Sequence, residues 1–179
     1  SAMTSSIYLR GFGSRMENPV LGLYIDDVPV LNKNAYDMDM LDIRRADLFR
    51  GPQGTLYGRN SMCGVLSLNT LSPSSYEGIR AALQYGSANN VSARASIYRK
   101  TKDGLAIGAG VGFSHSDGFY TNSLNGERCD PSDGLSLRLK IQKQLRPDLH
   151  FENIFSAGAL TQGGWPYRLY DPQTVALHP

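Results

Sequence analysis

The second half of the chain alternates apolar and polar residues with a period of two, which is typical of strands with one apolar and one polar face. The clearest segments are 79–85, 105–114 and 135–142, and weaker alternation covers 92–100 and 149–159. In 105–114 the apolar side chains are opposed almost entirely by Gly, Ala and Ser, which suits a strand pressed against something inside the protein but also suits a twisted soluble sheet. The pattern predicts five strands.

The connections between these segments differ in length. Segments 101–104 and 146–148 are tight turns, whereas 117–133 is long. In an up-and-down sheet, alternate connections lie at the same end, so the two tight turns share one end. The connections at 87–90, at 117–133 and after Leu160 share the other. This layout is typical of an outer-membrane barrel, although a soluble antiparallel sheet packed on one face shows the same alternation.

The first 75 residues mix short apolar runs with irregular connections. A polar loop is predicted over 30–39, a helical turn over 41–45, and a glycine-punctuated stretch over 51–64. The strand candidates are 6–12, 21–30, 47–50 and 65–70. Together they predict a small α+β unit.

Composition narrows the classes of protein. With 179 residues and 41% hydrophobic residues the chain can bury a core, and a net charge of +2 gives no electrostatic case for a nucleic-acid partner. No apolar run approaches the roughly 18 residues of a membrane-spanning helix.

The two cysteines, Cys63 and Cys129, are too few for a disulfide framework and lack the spacing of a zinc site, so each is interpreted as an isolated small residue. The start, residues 1–3, lacks signal-peptide features, and we expect both chain ends to be cut.

Motifs for catalysis are missing from the chain. Segment 58–61 lacks the glycine spacing and the lysine of a phosphate loop, and neither Gly-x-Ser-x-Gly nor His-Glu-x-x-His occurs. The three histidines are scattered, and Asp130 and Asp133 are interpreted as turn formers rather than calcium ligands. We therefore predict no enzyme, no metal site and no cofactor.

The most specific sequence motif of the chain is segment 50–60, Arg-Gly-Pro-Gln-Gly-Thr-Leu-Tyr-Gly-Arg-Asn. Together with Gly64-Val65 and Thr70, it resembles the plug domain of TonB-dependent outer-membrane receptors. Three further segments match that family in the right order, at 8–12, 23–30 and 42–49.

The resemblance implies a mainly β fold with a small α+β part. Residues 1–75 would form a partial plug in which no TonB box is identified, because the box would precede Ile7. Residues 76–179 would form the N-terminal portion of the transmembrane β-barrel. Segment 117–122 is similar in sequence to the early part of the barrel in this family. Since the family has a plug inside a 22-stranded barrel, the chain would hold about five antiparallel strands of a truncated barrel.

Roles for individual residues follow from the same resemblance. Arginines that match Arg10 and Arg50 pair in the family with glutamates on the inner barrel wall. Those glutamates lie on later strands, so in this chain both arginines are expected to turn towards solvent or to find substitutes. Glycines of the motif permit close approaches, and Pro52 stiffens the first bend. The plug-motif and barrel-lock candidates are Arg10, Gly11, Arg50, Gly51, Pro52, Gly54, Tyr57 and Gly58.

Plug loops of the family face the external vestibule and touch the ligand. By position these loops are 13–19 and 31–39, although ordinary solvated loops would look the same. The ligand-contact candidates are Arg15, Asn18, Asn32, Lys33, Asn34 and Tyr36. The chain departs from the family pattern at Asp27, at Asp47 and at Cys63, where Gly, Glu and Gly respectively are frequent.

The function implied is TonB-dependent uptake of a scarce nutrient across the outer membrane of a Gram-negative bacterium. Its partners would be the TonB complex of the inner membrane, outer-membrane lipid and a small ligand such as an iron chelate. The Arg-Gly-Pro-Gln form resembles glycan importers less, which favours a ferric siderophore. The alternative is a soluble antiparallel-β binding or adhesion module with a self-sufficient core. In the receptor interpretation, open sheet edges are expected to pair between copies of the fragment.

Overall fold

The computed structural model describes residues 21–31, 41–52, 54–57, 61, 63–122 and 126–164. Within these ranges the chain forms nine strands and one short helix, arranged as two sheets. We call them the N-terminal sheet (β1–β4) and the C-terminal sheet (β5–β9). No helix in the described ranges is long and apolar enough to cross a membrane.

The N-terminal sheet has the strand order β2-β1-β4-β3. Its elements are β1 (Leu21–Ile25), β2 (Val28–Pro29), β3 (Ile43–Arg50) and β4 (Gly64–Thr70), with α1 (Gly54–Tyr57) between β3 and β4. Strand β1 pairs in parallel with β4 and antiparallel with β2, and β3 pairs antiparallel with β4. The small core of this sheet is built around Leu23 and Leu68.

Two local predictions for this region are wrong. The predicted strand 21–30 is divided into β1 and β2 by a two-residue turn, in which Asp26 and Asp27 both have positive φ angles, 47° and 64°. The predicted helical turn over 41–45 is instead a turn followed by β3, because the ladder with β4 satisfies the backbone groups of the segment from Ile43 onward. The strand predicted at 65–70 is confirmed, whereas the strand at 6–12 lies outside the described residues.

The C-terminal sheet is an antiparallel up-and-down sheet in the order β5-β6-β7-β8-β9. Its strands are β5 (Gly78–Gly86), β6 (Asn90–Lys100), β7 (Leu105–Ser116), β8 (Ser132–Arg146) and β9 (Leu149–Gln162). All five predicted strands are therefore confirmed, and the tight turns at 101–104 and 146–148 lie at one end of the sheet. We call that end the short-turn end and the opposite one the long-loop end. The sheet is not closed within the described ranges, where β5 and β9 form its edges.

Candidate functional site

The two faces of the C-terminal sheet have the opposite burial from that of a soluble one-sided sheet. Large apolar side chains lie on the open face, where Leu83 and Tyr85 are each 77% exposed. Others exposed on this face are Ile79, Ile97, Val111, Phe113, Leu135, Leu137, Phe151 and Phe155. Buried on the other face are the polar residues Ser92, Ser96, Ser136, Lys140 and Gln142. Because a sheet in water buries its apolar face, this arrangement favours a lipid-facing wall.

The apolar face has charged residues at both of its boundaries. On β8, Asp133 precedes the outward apolar residues 135–141 and Lys143 follows them. From Asp133 to Lys143 the strand rises about 33 Å, at about 3.3 Å per residue. With a strand tilt of about 40°, these two charged residues lie about 25 Å apart along the membrane normal, which is close to the height of the apolar band of outer-membrane barrels. At the Asp133 boundary, Nδ1 of His115 lies 2.6 Å from the Asp133 carboxylate.

The N-terminal sheet and its connections cover the polar face of the middle strands β6–β8. Leu41 and Pro73 are buried there, and they approach the inward glycines of β7. A Cβ atom on Gly110 would lie 3.3 Å from Cδ1 of Leu41, and one on Gly108 would lie 2.7 Å from the Tyr98 ring. The small residues of this strand therefore leave room for Leu41, Pro73 and Tyr98, which favours the interpretation of a strand pressed against something inside the protein.

A buried carboxylate in the β1–β2 turn joins the two sheets. Asp26 accepts hydrogen bonds from the backbone N–H of Thr70 (2.8 Å) and from its hydroxyl (2.7 Å). It also forms ion pairs with Arg138 and, at 3.4 Å, with Nζ of Lys140. The side chains of Asp26, Arg138 and Lys140 are only 8%, 13% and 7% exposed.

The charge of Asp26 is stabilised by this environment. Burial opposes ionisation and by itself raises the pKa of the carboxyl. The hydrogen bonds from Thr70 and the positive charges of Lys140 and Arg138 outweigh burial, and the pKa of Asp26 is lowered from its ordinary value of 3.8. Asp26 is therefore ionised at neutral pH.

A second carboxylate makes a similar connection. Asp42 accepts a hydrogen bond from the Tyr98 hydroxyl at 2.6 Å, and its other oxygen lies 3.2 Å from Nε of Arg80. Its φ angle of 51° lies in the left-handed region, which Asp tolerates better than most residues. Arg80 lies on β5 and Tyr98 on β6, so Asp42 connects the N-terminal sheet to the first two strands of the C-terminal sheet.

Gln142 makes a further contact between the β4–β5 connection and the C-terminal sheet. Oε1 of Gln142 accepts hydrogen bonds from the Ser72 hydroxyl (2.6 Å) and from the backbone N–H of Ser74 (3.2 Å). Nε2 of Gln142 donates to Glu152 at 2.9 Å, and Glu152 also lies 3.2 Å from Nζ of Lys140. The connection between β4 and β5 is thus held against β8.

A cavity of about 480 Å³ lies between the sheets near the short-turn end. Its lining carries charges of both signs, from Asp26, Arg44, Arg45, Lys140 and Glu152 among others. In the described part of the chain, no group of three or more His, Cys, Asp or Glu residues could hold a metal ion. The cavity suits water and polar groups rather than an apolar molecule.

The described part of the plug motif lies at the other end of β4. Arg50 pairs with Gly64 at the start of β4 and is exposed, and Gly51 follows with a φ angle of 94° that favours glycine. Tyr57, at the end of α1, packs edge-on against Tyr24 with ring centroids 4.8 Å apart. Pro52 and Gly54 are exposed.

The remaining candidates lie outside the described residues. They are Arg10, Gly11 and Gly58 of the motif set, and Arg15, Asn18, Asn32, Lys33, Asn34 and Tyr36 of the ligand-contact set. Sequence reasoning missed the connections made by Asp26 and Asp42. Arg138 and Lys140 are visible in the sequence as the polar face of an alternating strand, but Arg138 and Asp26 are 112 residues apart, and no local pattern links them.

Comparisons with known proteins agree with this architecture. Residues 1–65 match the family model described as the TonB-dependent receptor plug domain. The pesticin receptor of Yersinia pestis is 35% identical over 109 residues, which are 59% of this chain and 16% of that protein. The vitamin B12 transporter BtuB of Vibrio vulnificus is 30% identical over 145 residues, which are 78% of this chain and 22% of that protein. The chain thus spans about a fifth of the length of these relatives.

Solved structures show the same fold. The ferric yersiniabactin uptake receptor FyuA from Yersinia pestis superimposes with a TM-score of 0.68 at 23% identity, covering 89% of this chain and 26% of that one. The pyoverdine outer membrane receptor FpvA from Pseudomonas aeruginosa, bound to pyoverdine, gives a TM-score of 0.61 at 18% identity, covering 88% and 22%. Both sheets are therefore arranged as in known outer-membrane receptors.

Proposed function

This chain belongs to the TonB-dependent receptor family, and from that premise we propose that it forms the plug and the first barrel strands of a receptor for active uptake of a ferric siderophore. Proteins of this family lie in the outer membrane of Gram-negative bacteria. The proposal includes the division of the chain into a plug at 1–75 and barrel strands at 76–179. The partners proposed are outer-membrane lipid, the TonB complex of the inner membrane and the iron chelate.

The observation that carries the proposal is the reversed burial of the C-terminal sheet. Its outward face, with Leu83 and Tyr85 77% exposed, needs an apolar surrounding. Its strands have 9 to 15 residues, long enough for a tilted strand to cross a bilayer. The alternative of a soluble binding or adhesion module would require a self-sufficient core under this face, whereas the described residues bury the opposite one.

A plug-like role for the N-terminal sheet is supported by what joins it to the wall. The described contacts are hydrogen bonds, ion pairs and packing around Leu41 and Pro73. Such contacts can break and re-form without covalent chemistry. In the proposed mechanism, ligand binds on the long-loop side, force applied through TonB shifts the N-terminal sheet, and the ligand passes along the polar face.

The choice of ligand is supported by two named receptors. The solved structures similar to this chain include receptors for ferric yersiniabactin and for pyoverdine. A second candidate ligand is cobalamin, since the vitamin B12 transporter matches 78% of the chain.

The experiment that tests the proposal is uptake by the full-length protein that contains this chain. The protein is expressed in a Gram-negative host without its own siderophore and cobalamin receptors, and uptake of radiolabelled ferric siderophores and of cobalamin is measured with and without functional TonB. We expect TonB-dependent accumulation of at least one ferric siderophore. Accumulation of cobalamin alone would show that the ligand is cobalamin and not a ferric siderophore. Recovery of the protein in the soluble fraction would overturn the receptor proposal.

A further inference from the structure

We propose that Asp26 and Asp42 are positioning residues that fasten the plug to the barrel wall, through contacts in which the plug supplies carboxylates rather than arginines. We call the group formed by Asp26, Asp42, Arg80, Tyr98, Arg138 and Lys140 the aspartate clasp. The inference rests on the proposed function, because only a plug must be held in the barrel at rest and still be displaced during uptake.

The first observation is where the two carboxylates lie. Asp26 is in the turn after β1 and Asp42 directly precedes β3, so both are at the Thr70 end of β4. The motif residue Arg50 is at the opposite end of β4, which is about 20 Å long. The clasp therefore holds a different part of the plug from the motif arginine.

The second observation is the spread of the partners across the wall. Asp42 contacts Arg80 on β5 and Tyr98 on β6, while Asp26 contacts Arg138 and Lys140 on β8. Two attachment points on separated strands restrict rotation of the plug as well as its displacement. Here the carboxylates belong to the plug and the cations to the wall, whereas the resemblance assigns arginines to the plug and glutamates to the wall.

The third observation is burial. The Asp26, Arg138 and Lys140 side chains are each less than 15% exposed, so salt screens them much less than a surface pair. Nε of Arg138 is itself buried without a hydrogen-bond partner among the described residues, which leaves the guanidinium dependent on Asp26. Loss of Asp26 leaves Arg138 without an ion-pair partner among the described residues, and this favours separation of the two sheets.

If Asp26 only stabilised its own turn, a substitution that keeps the turn would not affect the contact between the plug and the wall. Its bonds with Thr70 stabilise the turn. An asparagine can keep both, with Oδ1 accepting from the Thr70 N–H and Nδ2 donating to the Thr70 hydroxyl, and it also tolerates a positive φ angle. Asp26→Asn therefore removes the charge while keeping the turn. Asp27→Asn is the matched control, because Asp27 occupies the same turn, has a φ angle of 64° and is exposed.

The test measures leakage through the full-length protein in liposomes, without TonB and without ligand. Liposome swelling in isotonic raffinose reports how often the plug is unseated. We expect Asp26→Asn to raise the swelling rate at least about tenfold, Asp27→Asn to leave it unchanged, and Asp26→Asn with Arg138→Gln to leak less than either single variant. Equal rates for the two asparagine variants, whether low or high, would overturn the proposal.

A second variant keeps the test decisive if Asp26→Asn does not assemble. Tyr98→Phe removes only the hydroxyl that donates to Asp42 and keeps the ring over Gly108. We expect its swelling rate to rise several-fold, and an unchanged rate would contradict the role of Asp42. Because neither TonB nor a nutrient is present, a failure of uptake with normal clasp behaviour would count against the proposed function alone.

Discussion

The N-terminal sheet and the C-terminal sheet bury opposite kinds of side chain. In the former, the central strands β1 and β4 are buried over most of their length, with Leu23 and Val65 almost inaccessible. In the latter, the polar face is largely buried on the middle strands β6–β8, and the apolar face is open. The difference shows that alternation along a strand only separates two faces. What each face meets decides which one is buried.

The contact between the sheets follows from that difference. The polar face of the C-terminal sheet offers Arg138, Lys140 and Gln142, and the N-terminal sheet with its connections meets them with Asp26, Ser72 and Ser74. An apolar contact of the same area would hold the sheets through dispersion and water exclusion. Polar contacts instead depend on pairing every buried charge, so single substitutions there should have large effects.

The largest expected effect is that of Arg138→Ala. It leaves the Asp26 carboxylate with Lys140 as its remaining ion-pair partner among the described residues, and we expect a loss of about 3–5 kcal/mol in stability, the range for breaking a buried pair. Urea unfolding of the full-length protein in detergent measures it. Arg99→Ala is the matched control, because Arg99 forms an exposed pair with Glu77. A loss for Arg138→Ala no greater than for Arg99→Ala would show that the contact is not held by charge.

The next effect concerns the apolar face. Leu137 lies near the middle of the outward band on β8, so Leu137→Arg should cost about 2–4 kcal/mol in a bilayer. Leu145 lies beyond Lys143, near the boundary, where the same substitution should cost only about 0–1 kcal/mol. Folding into lipid vesicles, followed by denaturant titration, measures both. Equal losses for the two variants would contradict a lipid-facing band.

Acid should weaken the contact between the sheets. Because the pKa of Asp26 is lowered when the protein is folded, ionised Asp26 contributes stability that is fully present above pH 3.8, its ordinary pKa. That stability is lost as the pH falls below 3.8 through the lower folded-state value. The effect should be smaller than that of Arg138→Ala, since a protonated Asp26 still bonds Thr70.

Comparison of the wild type with Asp26→Asn checks this expectation. Both proteins are unfolded by urea in detergent from neutral pH downward. Their stability difference should be constant at neutral pH and should shrink below pH 3.8. A difference that stays constant throughout the acid range would show that ionisation of Asp26 does not stabilise the fold.

The sequence predicts the C-terminal sheet better than the N-terminal one, for a physical reason. The period of two is a local property, so all five strands could be recognised. The predicted helical turn over 41–45 fails because β3 is fixed by pairing with β4 and Leu41 by packing near Gly110, both distant in sequence. The turn at Asp26 and Asp27 lacks the glycine that usually marks a two-residue hairpin turn with positive φ angles.

The candidate site was less predictable still. The motif at 50–60 identifies a family because its spacing is written in one continuous segment. The aspartate clasp is assembled from turns and strands between 26 and 140, and each of its members has an ordinary surface interpretation when taken alone. Only the burial that results from folding separates Asp26 from its neighbour Asp27.

The smallest expected effect is that of Arg45→Ala. Nε of Arg45 lies 2.8 Å from the Asp47 carboxylate, closer than the 3.4 Å between Lys140 and Asp26. However, the Arg45 side chain is 72% exposed, and exposed pairs contribute only about 0–1 kcal/mol. Urea unfolding should therefore detect almost no change, and added salt should not alter it. A loss as large as that of Arg138→Ala would mean that distance, rather than burial, sets the strength of these pairs.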